Sequence, residues 1–445
     1  MKFVKEIYTC FRLYAASSLI ILLFIFGQFF DLLFLLAKIL LLLFVLFLIF
    51  DAILLFFSNR PLILLRRVMP EKFSNGDENR VEIYLTNNHL LKLCIEVIDE
   101  VPVQFQLRDF TVKMVLKPHE EQIIQYVLVP KERGEYEFGY TNVYVSTPIG
   151  FWSRRLKFGE SASIVSVYPS FLQMRKYEFL AVSNQLTEAG IKRIRRAGSF
   201  SEFDQIKDYV VGDNYRTINW NATARRSKLM VNQYQEERSQ QIYSIIDKGR
   251  LMQMPFEGMS LLDYAINSSL ILSNTALIKY DKAGLITFNL KVDTFLPADR
   301  GNKTVAKILE LLYNQKTEHQ ESDYAYLTAF IRRNISHRSL IILYSNFETI
   351  TSLHRLLNYL KHMAKNHLLL VVIFENSEVK AFARESANTL EEVYVKTIAE
   401  KFVYEKKLIV RELKKHGVLS ILTKPEDLSA KLINKYMEIK TLGKI

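Results

Sequence analysis

The segment from Ser199 to Glu237, SFSEFDQIKDYVVGDNYRTINWNATARRSKLMVNQYQEE, gathers carboxylates, cations and aromatics at a density that ordinary linkers lack. Glu202, Asp204, Asp208 and Asp213 supply acids; Lys207, Arg216, Arg225 and Arg226 supply bases; Phe203, Tyr209, Tyr215 and Trp220 supply rigid apolar area. Two chemistries are open to this set. Glu202 and Asp204 alternate in an extended stretch, share a face, and could serve a hydrolase as an acid and base pair around one ligand. Alternatively, Gly212 permits a tight turn, Asp213 caps the next stretch of chain, and Arg216, three residues on, forks onto a carboxylate. The locked segment would then pin its neighbours together, with Trp220 and Arg225 as candidate interface anchors.

Other catalytic signatures are missing. The chain contains no G-x-x-x-x-G-K-[ST], no H-E-x-x-H and no G-x-S-x-G, so any nucleotide hydrolysis through a P-loop falls to a partner. His354, His362 and His367 fall on one predicted helix, but a spacing of eight separates the first two by about 12 Å, too far for one ion. Cys10 and Cys94 are the whole cysteine content and imply neither a disulfide framework nor a cysteine metal cluster.

The elements that must position these residues begin with an apolar run, Leu13 to Phe57. As one helix it would be about 67 Å long, twice the hydrocarbon core of a bilayer, so the expectation is two spans, Leu13 to Phe30 and Leu35 to Phe57. Lys2, Lys5 and Arg12 precede them and Arg60, Arg66 and Arg67 come after, which places both ends in the cytoplasm. Asp51, near the cytoplasmic end of the second span, is expected at the interface. The run is too long for a cleavable signal. A net charge of +12 suits an anionic leaflet, and the basic cluster Lys192, Arg193, Arg195 and Arg196 would lie within its reach. No zinc finger or basic heptad points to nucleic acid.

From Arg80 to Val167, short runs of period two such as VEIYLTN, TVKMVLK and QIIQYVLVP alternate with turn signals. They predict an all-β immunoglobulin-like sandwich. After Gln241 the pattern becomes strand and helix in alternation: strands QIYSIID, AGLITFN, VDTFLP, SLIILYS, HLLLVVIFE and VLSIL, with helices between them and a last one from Pro425 to Ile439. This predicts a doubly wound α/β domain whose ligands would sit beyond Asp247 and Ser345, at the carboxyl ends of strands. The charged helix Leu390 to His416 is expected to present a solvated face. The predicted domains are 1–60, 61–168, a connecting segment 169–240, and 241–445.

On these residues the chain resembles the bacterial domain-of-unknown-function family fifty-eight. The resemblance rests on the hairpin, the stretch RGEYEFGYTNVYVSTPIGFWSRR, the VYPS turn, the signature EFDQIKDYVVGDNYRTINWNATAR and the α/β tail. It implies a C-terminal domain like a degenerate von Willebrand factor type A domain, a partnership with MoxR-type AAA+ ATPases, and company of other type A membrane proteins. An intact type A domain holds a divalent cation with an Asp-x-Ser-x-Ser loop and a later Asp. Here Asp247 remains, Gly249 and Leu251 replace both serines, and Asn346 stands where the later Asp is expected. Mg²⁺ needs near-octahedral oxygen ligands, so no metal and no other cofactor is expected at this remnant site, with Asp247 bonding its own loop; Asp323 is the one substitute ligand in view.

The resulting expectation is a multi-pass protein of the bacterial inner membrane with cytoplasmic soluble domains. It would be a non-catalytic scaffold for a MoxR-type ATPase, docking through Glu202, Phe203, Asp204, Tyr209, Gly212, Asp213, Arg216, Trp220 and Arg225. The competing expectations are a metal-dependent, protein-binding type A domain and a hydrolase using Glu202 and Asp204.

Overall fold

A computed structural model describes residues 6–56, 61–107, 110–159, 163–182, 202–213, 215–235, 239–301, 303–384 and 389–443. It divides into two compact units: Met1–Pro130 with Gly134–Val167, and Lys131–Arg133 with Tyr168–Ile445.

The first unit opens with a short strand, β1 (Ile7–Thr9), then the apolar helices α1 (Phe11–Gly27) and α2 (Asp31–Phe56). Of the two, α2 is long and apolar enough to cross a membrane; α1 is shorter. Both begin earlier than the sequence suggested, and the turn between them is tighter. Gly27 permits it, because a Cβ there would stand 3.0 Å from the Phe34 Cα.

Among the described residues ten strands come next: β2 (Ile63–Val68), β3 (Lys72–Ser74), β4 (Asn79–Asn87), β5 (Leu93–Asp99), β6 (Thr111–Leu116), β7 (Glu121–Leu128), β8 (Gly134–Phe138), β9 (Thr141–Ser146), β10 (Trp152–Phe158) and β11 (Ser163–Tyr168). They form sheets in the orders β1-β10-β9-β5-β6 and β2-β4-β7, both antiparallel, and β3-β11-β8, in which β11 and β8 are antiparallel. Burial alternates strictly along β4 and β5, which sends Ile83, Leu85, Ile95 and Val97 into one core with Val143 and Val145. β1 and β2 escape a period-two reading, since the first has three residues and the second carries Arg66 and Arg67 beside its leucines.

Asp51 is covered by the protein itself. It is fully buried; its carboxylate accepts from the Thr147 hydroxyl and from the backbone N–H groups of Phe151 (3.0 Å) and Trp152 (3.1 Å). Trp152 Nε1 and Arg154 in turn donate to the Leu48 and Leu55 carbonyls at the end of α2. A carboxylate inside an apolar helix is tolerable here because sandwich backbone replaces its water.

The sandwich has its own buried pin. Arg67 meets Asp99 at 2.9 Å, and Asp99 also accepts from the Thr141 and Tyr126 hydroxyls; burial beside this carboxylate raises the Tyr126 pKa.

The second unit contains α3 (Phe171–Val182), β12 (Glu202–Asp208), α4 (Trp220–Arg226), β13 (Met230–Gln235), β14 (Gln241–Asp247), β15 (Pro255–Phe256), β16 (Met259–Ser260), α5 (Leu261–Ile278), β17 (Lys282–Phe288), β18 (Val292–Asp299), α6 (Thr304–Tyr313), α7 (Tyr324–Asn334), β19 (Leu340–Tyr344), α8 (Ile350–Asn366), β20 (Leu368–Phe374), α9 (Ser377–Phe382), α10 (Leu390–Lys415), β21 (Leu419–Thr423) and α11 (Leu428–Thr441). Its main sheet runs β18-β17-β14-β19-β20-β21, parallel except for β18. Numbered within the sheet this is the order 3-2-1-4-5-6, whose switch point lies between β14 and β19. Two apolar cores cover its two faces, one built around the almost wholly buried α5 and the other around α7 and α8. The last helix starts at Leu428, so Pro425 precedes it instead of opening its first turn.

Replacing Asp99 by Ala leaves the Arg67 guanidinium buried without its counter-ion. The expected loss of unfolding free energy is about 3–5 kcal/mol, measurable by denaturant titration. A loss under about 1 kcal/mol would reduce the pair to the worth of a surface bridge.

Candidate functional site

The sheet's switch point brings together residues from four segments: Asp247 at the end of β14, Ser322 and Tyr324 at the start of α7, Ser345 and Asn346 after β19, and Lys406 from α10. Asp247 is buried, and all its acceptor directions are spent. Oδ1 accepts from the Gly249 N–H (2.8 Å) and the Ser322 hydroxyl; Oδ2 accepts from the Tyr324 hydroxyl (2.9 Å) and the Ser345 hydroxyl (2.8 Å), which lie 2.7 Å from each other. Burial, and after it the charge of Asp247, drives the Tyr324 pKa well up, so the phenol stays a donor.

Gly249 makes this possible through its size. A Cβ at that position would stand 2.5 Å from the Ser322 Oγ and 3.1 Å from Asp247 Oδ1. The hydroxyl absent from position 249 is thus supplied from position 322. Asp323, the suggested substitute ligand, instead caps α7 through the N–H groups of Ala325 and Tyr326. Lys248 turns to Asp293, at 2.7 Å.

Asn346 is occupied as well. Lys406 Nζ donates to Asn346 Oδ1 (2.5 Å) and to the Phe347 carbonyl (2.7 Å). Desolvation lowers the Lys406 pKa to about 8, against a smaller opposing effect of Glu348. A divalent cation needs oxygen atoms free to face it, and here both the carboxylate and the amide are committed to protein donors. The residues present do not fit such an ion. Among the described residues no group of three or more His, Cys, Asp or Glu could hold a metal.

Two hollows adjoin the cluster. One of about 350 Å³ is of mixed polarity, bordered by Asp247, Arg250, Ser322, Glu348 and Arg355 among others. The other, of about 220 Å³, is mostly apolar, with Met254, Phe256, Phe374 and Phe402 around Lys406.

The signature segment forms a small antiparallel pair, β12 and β13, bridged by a long excursion. Glu202, Phe203 and Asp204 belong to β12 by their backbone, but their side chains lie outside the described residues, as does the cluster Lys192 to Arg196. Asp213 does not pair with Arg216; it binds Lys207 at 2.9 Å and the Val210 N–H at 3.0 Å, which lowers its pKa. A carboxylate that closes its own turn is aimed back toward β12, away from the residue three further on. Gly212 sits at φ +110° in that turn. Tyr209 is half-buried and bonds the Leu229 carbonyl through its N–H, Arg225 is exposed, and Trp220 is 69% exposed.

Sequence reasoning missed Ser322, Tyr324 and Lys406. Lys406 carried a signal: it falls in register with the buried Ala399, Ile409 and Leu413 on α10, where a lysine breaks an apolar stripe. The first half of α10 departs from the expected solvated charged face, exposing Leu390, Tyr394, Ile398 and Phe402 at a spacing of four. His354 and His362 are exposed, whereas His367 lies just past α8 and is buried.

An α/β unit with a protein-saturated carboxylate at its switch point, joined to apolar helices and a β-sandwich, defines the class of this chain. Residues 205–386 match the family described as "Protein of unknown function DUF58". It is 26% identical over 125 residues to "Uncharacterized protein YeaD" of Bacillus subtilis (strain 168), covering 28% of this chain and 31% of that protein. The chain thus spans about a third of the length of the curated relative it matches. Among solved structures, the conserved hypothetical protein BatB from Bacteroides thetaiotaomicron is 15% identical with a TM-score of 0.32, covering 46% of this chain and all (100%) of that one. The CARDB domain of the PF1109 protein from Pyrococcus furiosus is 15% identical with a TM-score of 0.18, covering 24% and 93%.

Asp247→Ala removes the acceptor shared by three hydroxyls and one backbone N–H and is expected to lower unfolding free energy by about 3–5 kcal/mol in a denaturant titration. Lys406 gives a pH signature. Folded, it loses its proton near pH 8; unfolded, a lysine keeps its proton to about pH 10.4. Between these values the unfolded chain binds more protons, so stability rises with pH by up to about 3 kcal/mol. Stability curves for the unaltered protein and Lys406→Met should diverge across that window; parallel curves would remove the assignment.

Proposed function

We propose that this chain is a membrane-anchored, non-catalytic scaffold working with a MoxR-type AAA+ ATPase. Its α/β unit is read as a degenerate von Willebrand factor type A-like domain, supported by the 3-2-1-4-5-6 strand order with its antiparallel edge strand. The two apolar helices are read as two spans of the inner membrane, with both soluble units in the cytoplasm, as the flanking lysines and arginines favour.

The observation that carries the proposal is the exposed ridge of α10. Leu390, Tyr394, Ile398 and Phe402 form one row, and rows of this spacing are what helices pack into each other's grooves. The saturated Asp247 supports the non-catalytic part, since a carboxylate bound by four protein donors is a brace for loops. The occupied Asp247 and Asn346 count against the metal-dependent alternative. Other type A membrane proteins are a second class of partner for the same ridge.

Full-length protein extracted from native membranes in mild detergent should bring down an AAA+ ATPase identifiable by mass spectrometry. The outward-facing pair Tyr394→Ala and Ile398→Asp, with folding verified by circular dichroism, should cut its recovery about tenfold, the effect of losing roughly 1.4 kcal/mol of anchoring. Equal recovery with the altered ridge, or no ATPase even after crosslinking, rejects the proposal.

A further inference from the structure

The excursion between β12 and β13 turns its large apolar side chains outward. Val210 is 62% exposed, Val211 94%, and Tyr215 and Trp220 69% each. This is not the fraying of a loose loop. The turn is closed by Asp213 on Lys207 and on the Val210 N–H, and the Tyr209 N–H meets the Leu229 carbonyl. Asn219 caps α4 by accepting from the Ala222 N–H while its own amide donates to Asn232. The backbone is therefore held in a form that presents valine, tyrosine and tryptophan to the outside. Exposed Arg225, Arg226 and Lys228 lie further along the same excursion, and Lys207 already neutralises Asp213.

We propose that this excursion docks on the surface of an anionic lipid bilayer, with Val211 and Trp220 entering the headgroup boundary and Arg225, Arg226 and Lys228 facing anionic headgroups. Three features select a bilayer as the occupant. Tryptophan and tyrosine are the side chains whose apolar bodies and polar tips suit the membrane interface. The cations beside them complement an anionic leaflet, whose attraction acts within a Debye length. The same chain carries a helix long and apolar enough to cross a membrane, so a bilayer is at hand without a second binding event. The ATPase contact proposed above uses other residues, those of the α10 ridge, so either can fail without the other.

Trp152 and Trp220 are the chain's two tryptophans, which makes the test optical. The full-length protein is placed in nanodiscs of phosphatidylcholine alone or mixed with phosphatidylglycerol, each with and without brominated acyl chains that quench nearby tryptophan. Subtracting the emission of Trp220→Phe isolates Trp220 without disturbing the packed Trp152. Quenching of the Trp220 component should be several-fold stronger in the anionic discs. It should fade near 1 M salt, where the Debye length is about 3 Å, and should be lost in the Arg225→Glu, Arg226→Glu double variant. Absent quenching in the anionic discs overturns the proposal, as does quenching indifferent to both lipid charge and charge reversal. Loss of a captured protein partner in Trp220→Phe, with no lipid quenching, would assign the surface to protein instead.

Discussion

The carboxylate of Asp247 is the point on which the carboxyl end of the α/β sheet depends. Its four donors come from the loop after β14, the start of α7 and the loop after β19, so one buried charge ties three separate segments together. A carboxylate in such a place would be prohibitive if unpaired, and each donor lost leaves one of its buried lone pairs unsatisfied. This is why Gly249 has no side chain and Ser322 has a hydroxyl: the cluster works only if position 249 yields the space that Ser322 fills.

Lys406 completes the same logic from the opposite side. Its ammonium reaches Asn346 and the Phe347 carbonyl, so the loop after β19 is held by a cation belonging to the protein. The desolvation that lowers its pKa is the cost of that position. The Asp247 carboxylate and the Asn346 amide oxygen are both committed to donors of the chain itself. What faces outward elsewhere includes the row on α10 and the apolar tip of the signature excursion.

The first unit solves a different problem by similar means. An acid within an apolar helix needs partners that do not depend on water, and Asp51 finds them in the turn between β9 and β10. The reciprocal bonds from Trp152 and Arg154 to carbonyls of α2 satisfy acceptors that the end of a helix leaves open. Helix and sandwich are in this way continuous, with Leu55 among the residues of the sandwich core.

Periodicity was enough to locate most strands and helices, because period-two runs such as Asn79–Asn87 and buried runs such as Leu340–Tyr344 can satisfy their apolar residues in few other ways. It also showed that Asp247 and Asn346 would stand at strand ends. Sequence alone determined the apolar helices, the change from β to α/β texture and the residues of the signature. It did not determine partners across distance. Asp213 prefers Lys207 to Arg216, Ser322 reaches Asp247 while its neighbour Asp323 caps a helix, and Lys406 points into the core from a helix otherwise rich in exposed charge. Those choices depend on which segments the sheet order places side by side, and hydrogen-bond geometry, unlike hydropathy, has no period along the chain.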